Sequence, residues 1–179
     1  MPPLSGIAAL HHHLSIAPVR ADGVEGVTLV PAADLSGPVR RLLDQTIGMT
    51  RALEEHWGAV LSATVLDSHR ESERLRRCVV LSAGPLPVTV AGIDVMLPAV
   101  PPALRPCLAD TRVPLGRLFR DHGLIFRTVA EAFFCVLCDA ALAGQAGVNT
   151  GTPLFGRVAR LDAGDGRTLA RTVEVLARI

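Results

Sequence analysis

A chain of 179 residues, 49% of them apolar, is long enough to close one hydrophobic core, and a single domain is expected. Its 18 basic and 17 acidic side chains leave a formal charge of +1, which argues against a broad electrostatic footprint for nucleic acid or an anionic membrane surface. Lysine is absent, so Schiff-base chemistry and a phosphate-loop lysine are excluded, and an aromatic share of 3% without tyrosine leaves little for base stacking or sugar platforms.

The amino terminus has no basic start followed by an unbroken apolar run, so it does not read as a signal peptide. Residues 1–36, rich in Pro, Gly and Ala and without a sustained period, are expected to form an arm packed against a domain of residues 37–179. From Pro38 the residues Leu42, Leu43, Ile47 and Leu53 recur at roughly helical spacing, which predicts one or two amphipathic helices covering a sheet face. Ala59–Leu66 is short, with β-branched residues, and predicts a strand. The interspersed charges of Asp67–Arg77 predict a solvated turn leading into the next strand. Leu75–Ala83, a turn at Gly84 and Pro85, and Leu86–Leu97 predict a hairpin.

Five prolines between Pro98 and Gly123 predict a crossover made of loop and short helical turns. Phe126–Leu142 suits a buried strand entering a helix as well as it suits a single helix, and periodicity leaves both open. Its apolar core, Ala132–Leu137, is bracketed by Glu131 and Asp139 and is far too short to span a bilayer. After a loop over Gly144–Gly156, Val158–Leu161, a turn at Ala163–Gly166 and Arg167–Ile179 predict a last hairpin. Runs of strands with few helices and no βαβ rhythm predict an α+β domain, an antiparallel sheet of about six strands with helices packed on it. The four cysteines lie in apolar contexts, as reduced thiols in a cytoplasm would. A cytoplasmic monomer or weak homodimer, with no membrane partner, is the expected state.

Four separated pieces carry a resemblance to a known family, in the family's order. Met49-Thr50-Arg51 looks like its Met-Thr or Leu-Thr segment, and Arg77-Cys78-Val79-Val80-Leu81 is similar to its Arg-x-Val/Ile-x-Leu strand. Pro114-Leu115-Gly116-Arg117 resembles its Pro-Leu-Gly signature, and Gly156–Leu161 with Thr172–Leu176 resembles its closing hairpin. The family is that of the chorismate pyruvate-lyases, and the pieces span roughly residues 38–177. The pattern departs at the end, where Thr172-Val173-Glu174 stands in place of Thr directly before Glu.

The resemblance implies a chorismate lyase-like fold with a buried ligand cavity, and elimination of pyruvate from chorismate to give 4-hydroxybenzoate without a cofactor. It assigns catalytic roles to Arg77 and Glu174, one for a substrate carboxylate and one for the hydroxyl end of the ring. A guanidinium suits the first because its planar fork pairs with a carboxylate and keeps its charge. In a strand Arg77 shares a face with Leu75, Val79 and Leu81, where a charge among apolar side chains calls for an anionic partner, from the protein or from a ligand. Glu174 shares a face with Thr172 and Leu176 if the C-terminus is a strand and points to water if it is a helix; the resemblance favours the strand. Met49 would line the apolar wall. Leu115 would offer a backbone N–H, with Gly116 permitting close approach. Arg157 and Arg160 are the candidates for a second carboxylate.

Other patterns point to structure. His11-His12-His13 has no accompanying ligand cluster and reads as surface histidines, Cys135 and Cys138 sit in an apolar run as small hydrophobes, and Asp121-His122-Gly123 reads as a turn. Two further functions stand beside a lyase acting on a small molecule. One is a ligand-binding module like the effector domains of some bacterial transcription regulators, although no basic helix-turn-helix is read in residues 1–36. The other is a relative acting on a different ring carboxylate.

Overall fold

The computed structural model describes residues 6–16, 26–108 and 112–179. Its centre is a seven-stranded sheet in the order β1-β5-β6-β7-β4-β3-β2, antiparallel at every pairing. The strands are β1 Val27–Leu29, β2 Leu61–Arg70, β3 Arg74–Ala83, β4 Leu86–Met96, β5 Phe126–Leu137, β6 Pro153–Ala163 and β7 Thr168–Leu176. Five α-helices accompany them: α1 Gly6–Ile16, α2 Gly37–Leu43, α3 Met49–Trp57, α4 Leu115–Asp121 and α5 Ala140–Ala146. The meander β2-β3-β4 and the hairpin β6-β7 join where β7 pairs with β4, so residues far apart in sequence meet in the middle of the sheet.

Both faces are covered, which is why β4 and β7 are buried along nearly their whole length instead of alternating with water. On one face α2, α3, α4 and the tight turns Leu97–Ala99 and Pro102–Leu108 pack on Leu75, Val79, Ile93 and Leu161. The other face is covered by Ile7, Leu10 and Leu14 of α1 and Leu142 and Ala146 of α5, against Val80, Val90, Val173 and Val175. α3 forms because Met49, Ala52 and Leu53 recur on one side of it, and it stops at Gly58, whose left-handed backbone (φ 59°) ends the helix.

The α+β expectation holds, with seven strands in place of about six. Residues 126–142 resolve as a strand followed by the start of a helix, with Asp139 capping α5 through its carboxylate and the Leu142 N–H at 2.6 Å. Two expectations change. The charged stretch after Leu66 continues β2 to Arg70, because an edge strand can expose its side chains on successive positions; a register shift between Val65 and Asp67 marks the bulge. Before residue 36, where no element is expected, α1 and β1 form, β1 pairing with β5.

Candidate functional site

Sheet register sets the site. Arg77 on β3 lies opposite Ile93 on β4, which lies opposite Thr172 on β7; in the next row Val79, Ala91, Glu174 and Arg157 face one another in turn. Side chains two apart share a face, so Arg77, Thr172 and Glu174 all point to the side covered by α2, α3 and α4. The starts of α3 (Met49, Thr50) and α4 (Leu115, Gly116) do not close fully over them, and Phe126 forms another side. The result is a hollow of ≈ 530 Å³ of atom-free space, counting its open mouth.

Two glycines leave room for it. A Cβ on Gly116 would come within 3.0 Å of the Thr50 hydroxyl, and one on Gly48 (φ 92°) within 3.2 Å of the Phe126 ring. Phe126 is held in turn by an edge-to-face contact with Phe119, centroids 5.7 Å apart. Apolar side chains such as Val79, Leu81 and Ile93 make up much of the wall, with a few polar groups among them.

Arg77 is 1% exposed and donates from Nη1 to the Leu108 carbonyl at 2.6 Å, which anchors the guanidinium to the end of the Pro102–Leu108 turn. Glu174 is engaged from behind. Arg157, fully buried, donates from Nε to Glu174 Oε2 at 2.6 Å and from Nη1 to the carbonyls of Leu43 (2.6 Å) and Gln45 (3.3 Å). Gln45 Oε1 accepts from the Gly48 N–H at 3.0 Å, so a run of hydrogen bonds links Glu174 to the loop that opens α3. The hydroxyls of Thr128 and Thr172, 1% and 3% exposed, make no hydrogen bond among the described residues.

Arg77, Glu174, Met49, Leu115 and Gly116 are therefore brought together around one hollow. Leu115 stands there as the first residue of a seven-residue helix. Arg157 is not on the wall: it braces Glu174 from the adjacent strand. Arg160 is a correction. One residue out of phase with Arg157, it projects through the opposite side of β6 and pairs with Asp162 at 2.8 Å and Glu131 at 3.3 Å, its side chain 36% exposed. Thr172, Thr128 and Phe126 line the same hollow and were given no site role in the sequence. Thr172 was placed on the face of Glu174 without being counted as a site residue; Thr128 and Phe126 lie in the segment whose period left strand and helix open.

His11 departs from the surface position expected of the histidine run. It is 1% exposed and fits over Gly92, where an added Cβ would lie 2.4 Å from its side chain; Nε2 is 3.5 Å from Asp94 Oδ2. Burial pushes its imidazole below the ordinary 6.5, with Asp94 acting the other way. Burial also raises the thiols of Cys135 and Cys138, and pushes Cys78 up to about 11, which keeps them protonated and unreactive. Among the described residues no group of three His, Cys, Asp or Glu side chains is placed to hold a metal, and no helix is long and apolar enough to cross a membrane.

No protein-family model matches the chain, and no curated protein sequence matches it. Solved structures do. The effector domain of PhnF from Mycobacterium smegmatis superposes with a TM-score of 0.58 at 19% identity, over 72% of this chain and 87% of that one. The PhnF structure itself gives 0.57 at 19% over the same 72%, but the match covers only 63% of its length. The ligand-binding domain assigned to a GntR-family transcriptional regulator from Bordetella bronchiseptica gives 0.50 at 15%, over 65% and 83%. At these identities the likeness shows the fold, which is the chorismate lyase-like α+β fold of regulator effector domains.

The lyase expectation is corrected by this finding. The similar structures reported above are a regulator, its effector domain and a ligand-binding domain, and they point to ligand binding in place of chorismate cleavage. Nor is the exclusion of nucleic acid supported, since domains of this fold are parts of transcriptional regulators.

Proposed function

We propose that this chain is a ligand-binding domain of the effector type, which holds a small organic carboxylate, a ring carboxylate in particular, in the hollow on β3, β4 and β7. The carrying observation is Arg77, a guanidinium 1% exposed in the wall of an otherwise largely apolar hollow. A fixed cation in such surroundings interacts far more strongly with a ligand carboxylate than a solvated one would, and its planar fork sets the ligand's orientation. Apolar neighbours such as Val79, Ile93 and Met49 suit a flat or compact ring. Glu174, tied to Arg157, shapes the far wall and does not process the ligand. The similar domain from the Bordetella bronchiseptica regulator is described as ligand-binding, which agrees with this use of the fold.

Calorimetric titration of the whole chain with a panel of ring and open-chain carboxylates tests the proposal. Binding of at least one ring carboxylate, weakened about tenfold or more in Arg77→Met, is expected. Failure of the whole panel to bind, or equal binding by a folded Arg77→Met protein, would overturn it.

A further inference from the structure

Arginine and glutamate do not exhaust the polar chemistry of the hollow. Thr172 and Thr128 both stand on its wall, both are almost wholly buried, and neither hydroxyl has a hydrogen-bond partner among the described residues. We infer that the ligand carries oxygen-bearing substituents, hydroxyl or oxo, on the side of its ring facing β5 and β7, and that Thr172 and Thr128 select for them. This rests on the reading of the hollow as a carboxylate site and goes further in specifying what else the ligand must present.

The sheet fixes the spacing. Arg77 and Thr172 stand in one register row with Ile93 between them, so with strands about 4.8 Å apart their backbones are about 10 Å apart. Both side chains rise from the same face of the sheet into the hollow between them. Thr128 lies opposite Leu161 of β6, whereas Thr172 lies opposite Ala159, so the second hydroxyl is two strands across and one step along from the first. A cation and two hydroxyls thus mark three separate points around the hollow. That arrangement suits a ring with an acid at one position and oxygens at others better than a hydrocarbon acid.

Unmet hydrogen bonding supplies the selectivity. Both hydroxyl oxygens are buried and without a bond among the described residues, so a ligand that brings its own oxygen to them supplies the missing partner. A ligand offering a C–H instead leaves a buried hydroxyl bare, which is why sites built to hydrogen-bond reject analogues lacking the group far more strongly than apolar pockets reject an extra one. Threonine at both positions also keeps the wall close to the shape that valine would give it, so the polar contribution can be isolated.

The experiment compares benzoate with its 3-hydroxy, 4-hydroxy and 3,4-dihydroxy derivatives by calorimetry on the whole chain, in wild type, Thr172→Val, Thr128→Val, Thr172→Ser and Thr89→Val. Thr89 is a control, buried and also without a bond among the described residues but off the wall of the hollow. The inference expects at least one hydroxylated acid to bind about tenfold or more tightly than benzoate. Either valine variant on the wall should bring that ratio towards one, while Thr172→Ser and Thr89→Val keep it. Equal affinity of wild type for benzoate and every derivative, or a ratio that survives in both wall variants, overturns the inference and leaves the carboxylate site standing. If benzoate and all its derivatives fail to bind wild type, this inference fails, whereas the carboxylate reading falls only if the wider panel of ring and open-chain acids fails as well.

Discussion

Arg157 Nε lies 2.6 Å from Glu174 Oε2 with both side chains buried, so the acid on the wall of the hollow is held by a cation that never meets solvent. Removing the acid strands that cation. Glu174→Ala is therefore expected to lower stability by about 3–5 kcal/mol, the cost of breaking a buried pair from one side. Replacing both partners with methionine should restore most of the loss, since it takes away the uncompensated charge as well. Urea denaturation of the two single variants and the double variant checks this; equal instability of Glu174→Ala and the double variant would contradict it.

A domain that binds its ligand without processing it makes a second prediction: chorismate incubated with the protein should release no pyruvate above the spontaneous rate, and steady release would contradict the binding reading. A coupled lactate dehydrogenase assay reads this directly.

Helix α1 should respond to pH through His11. Its folded value lies below the ordinary 6.5 because burial disfavours the cation more than Asp94 restores it, with Arg76 and His12 adding repulsion. The unfolded chain then binds the proton more readily than the folded one, so stability is fully present above pH 6.5 and is lost as pH falls below it, levelling off beneath the folded value. Melting temperature recorded from pH 8 to pH 5 should show this slope in wild type and a shallower one in His11→Gln.

Gly92 is the socket for that histidine. An added Cβ would lie 2.4 Å from the His11 side chain, so Gly92→Ala should push α1 off the sheet and destabilise by about 1–3 kcal/mol. Adding His11→Ala to Gly92→Ala should recover part of the loss. Amide hydrogen exchange over residues 6–16 gives the local readout, with faster exchange in the single variant than in the double.

Local pattern was enough for much of the fold. The hairpin β3–β4 and the C-terminal hairpin follow from apolar runs punctuated by Gly84 and Gly166, and α2 and α3 fall in the stretch read as helical from Leu42, Leu43 and Leu53, although Ile47 lies exposed between them. Arg77 was legible for the same reason: a charge in phase with Leu75, Val79 and Leu81 must face the core. What local pattern could not supply was who faces whom across strands. The bond between Arg157 and Glu174 depends on β6–β7 register, and the distinction between Arg157 and Arg160 depends on the phase of a single strand. His11 was misplaced because α1 covers a second face of the sheet, and its socket is a glycine 81 residues further along the chain.

Entry of a small carboxylate into the hollow beside Arg77 can be followed by amide chemical-shift mapping of the isotope-labelled chain during titration with 4-hydroxybenzoate. Saturable shifts are expected at Arg77, Ala91, Ile93, Thr172 and Glu174, with the far end of β2 at His69 and Arg70 unmoved. Shifts confined to another surface, or none at millimolar ligand, would contradict it.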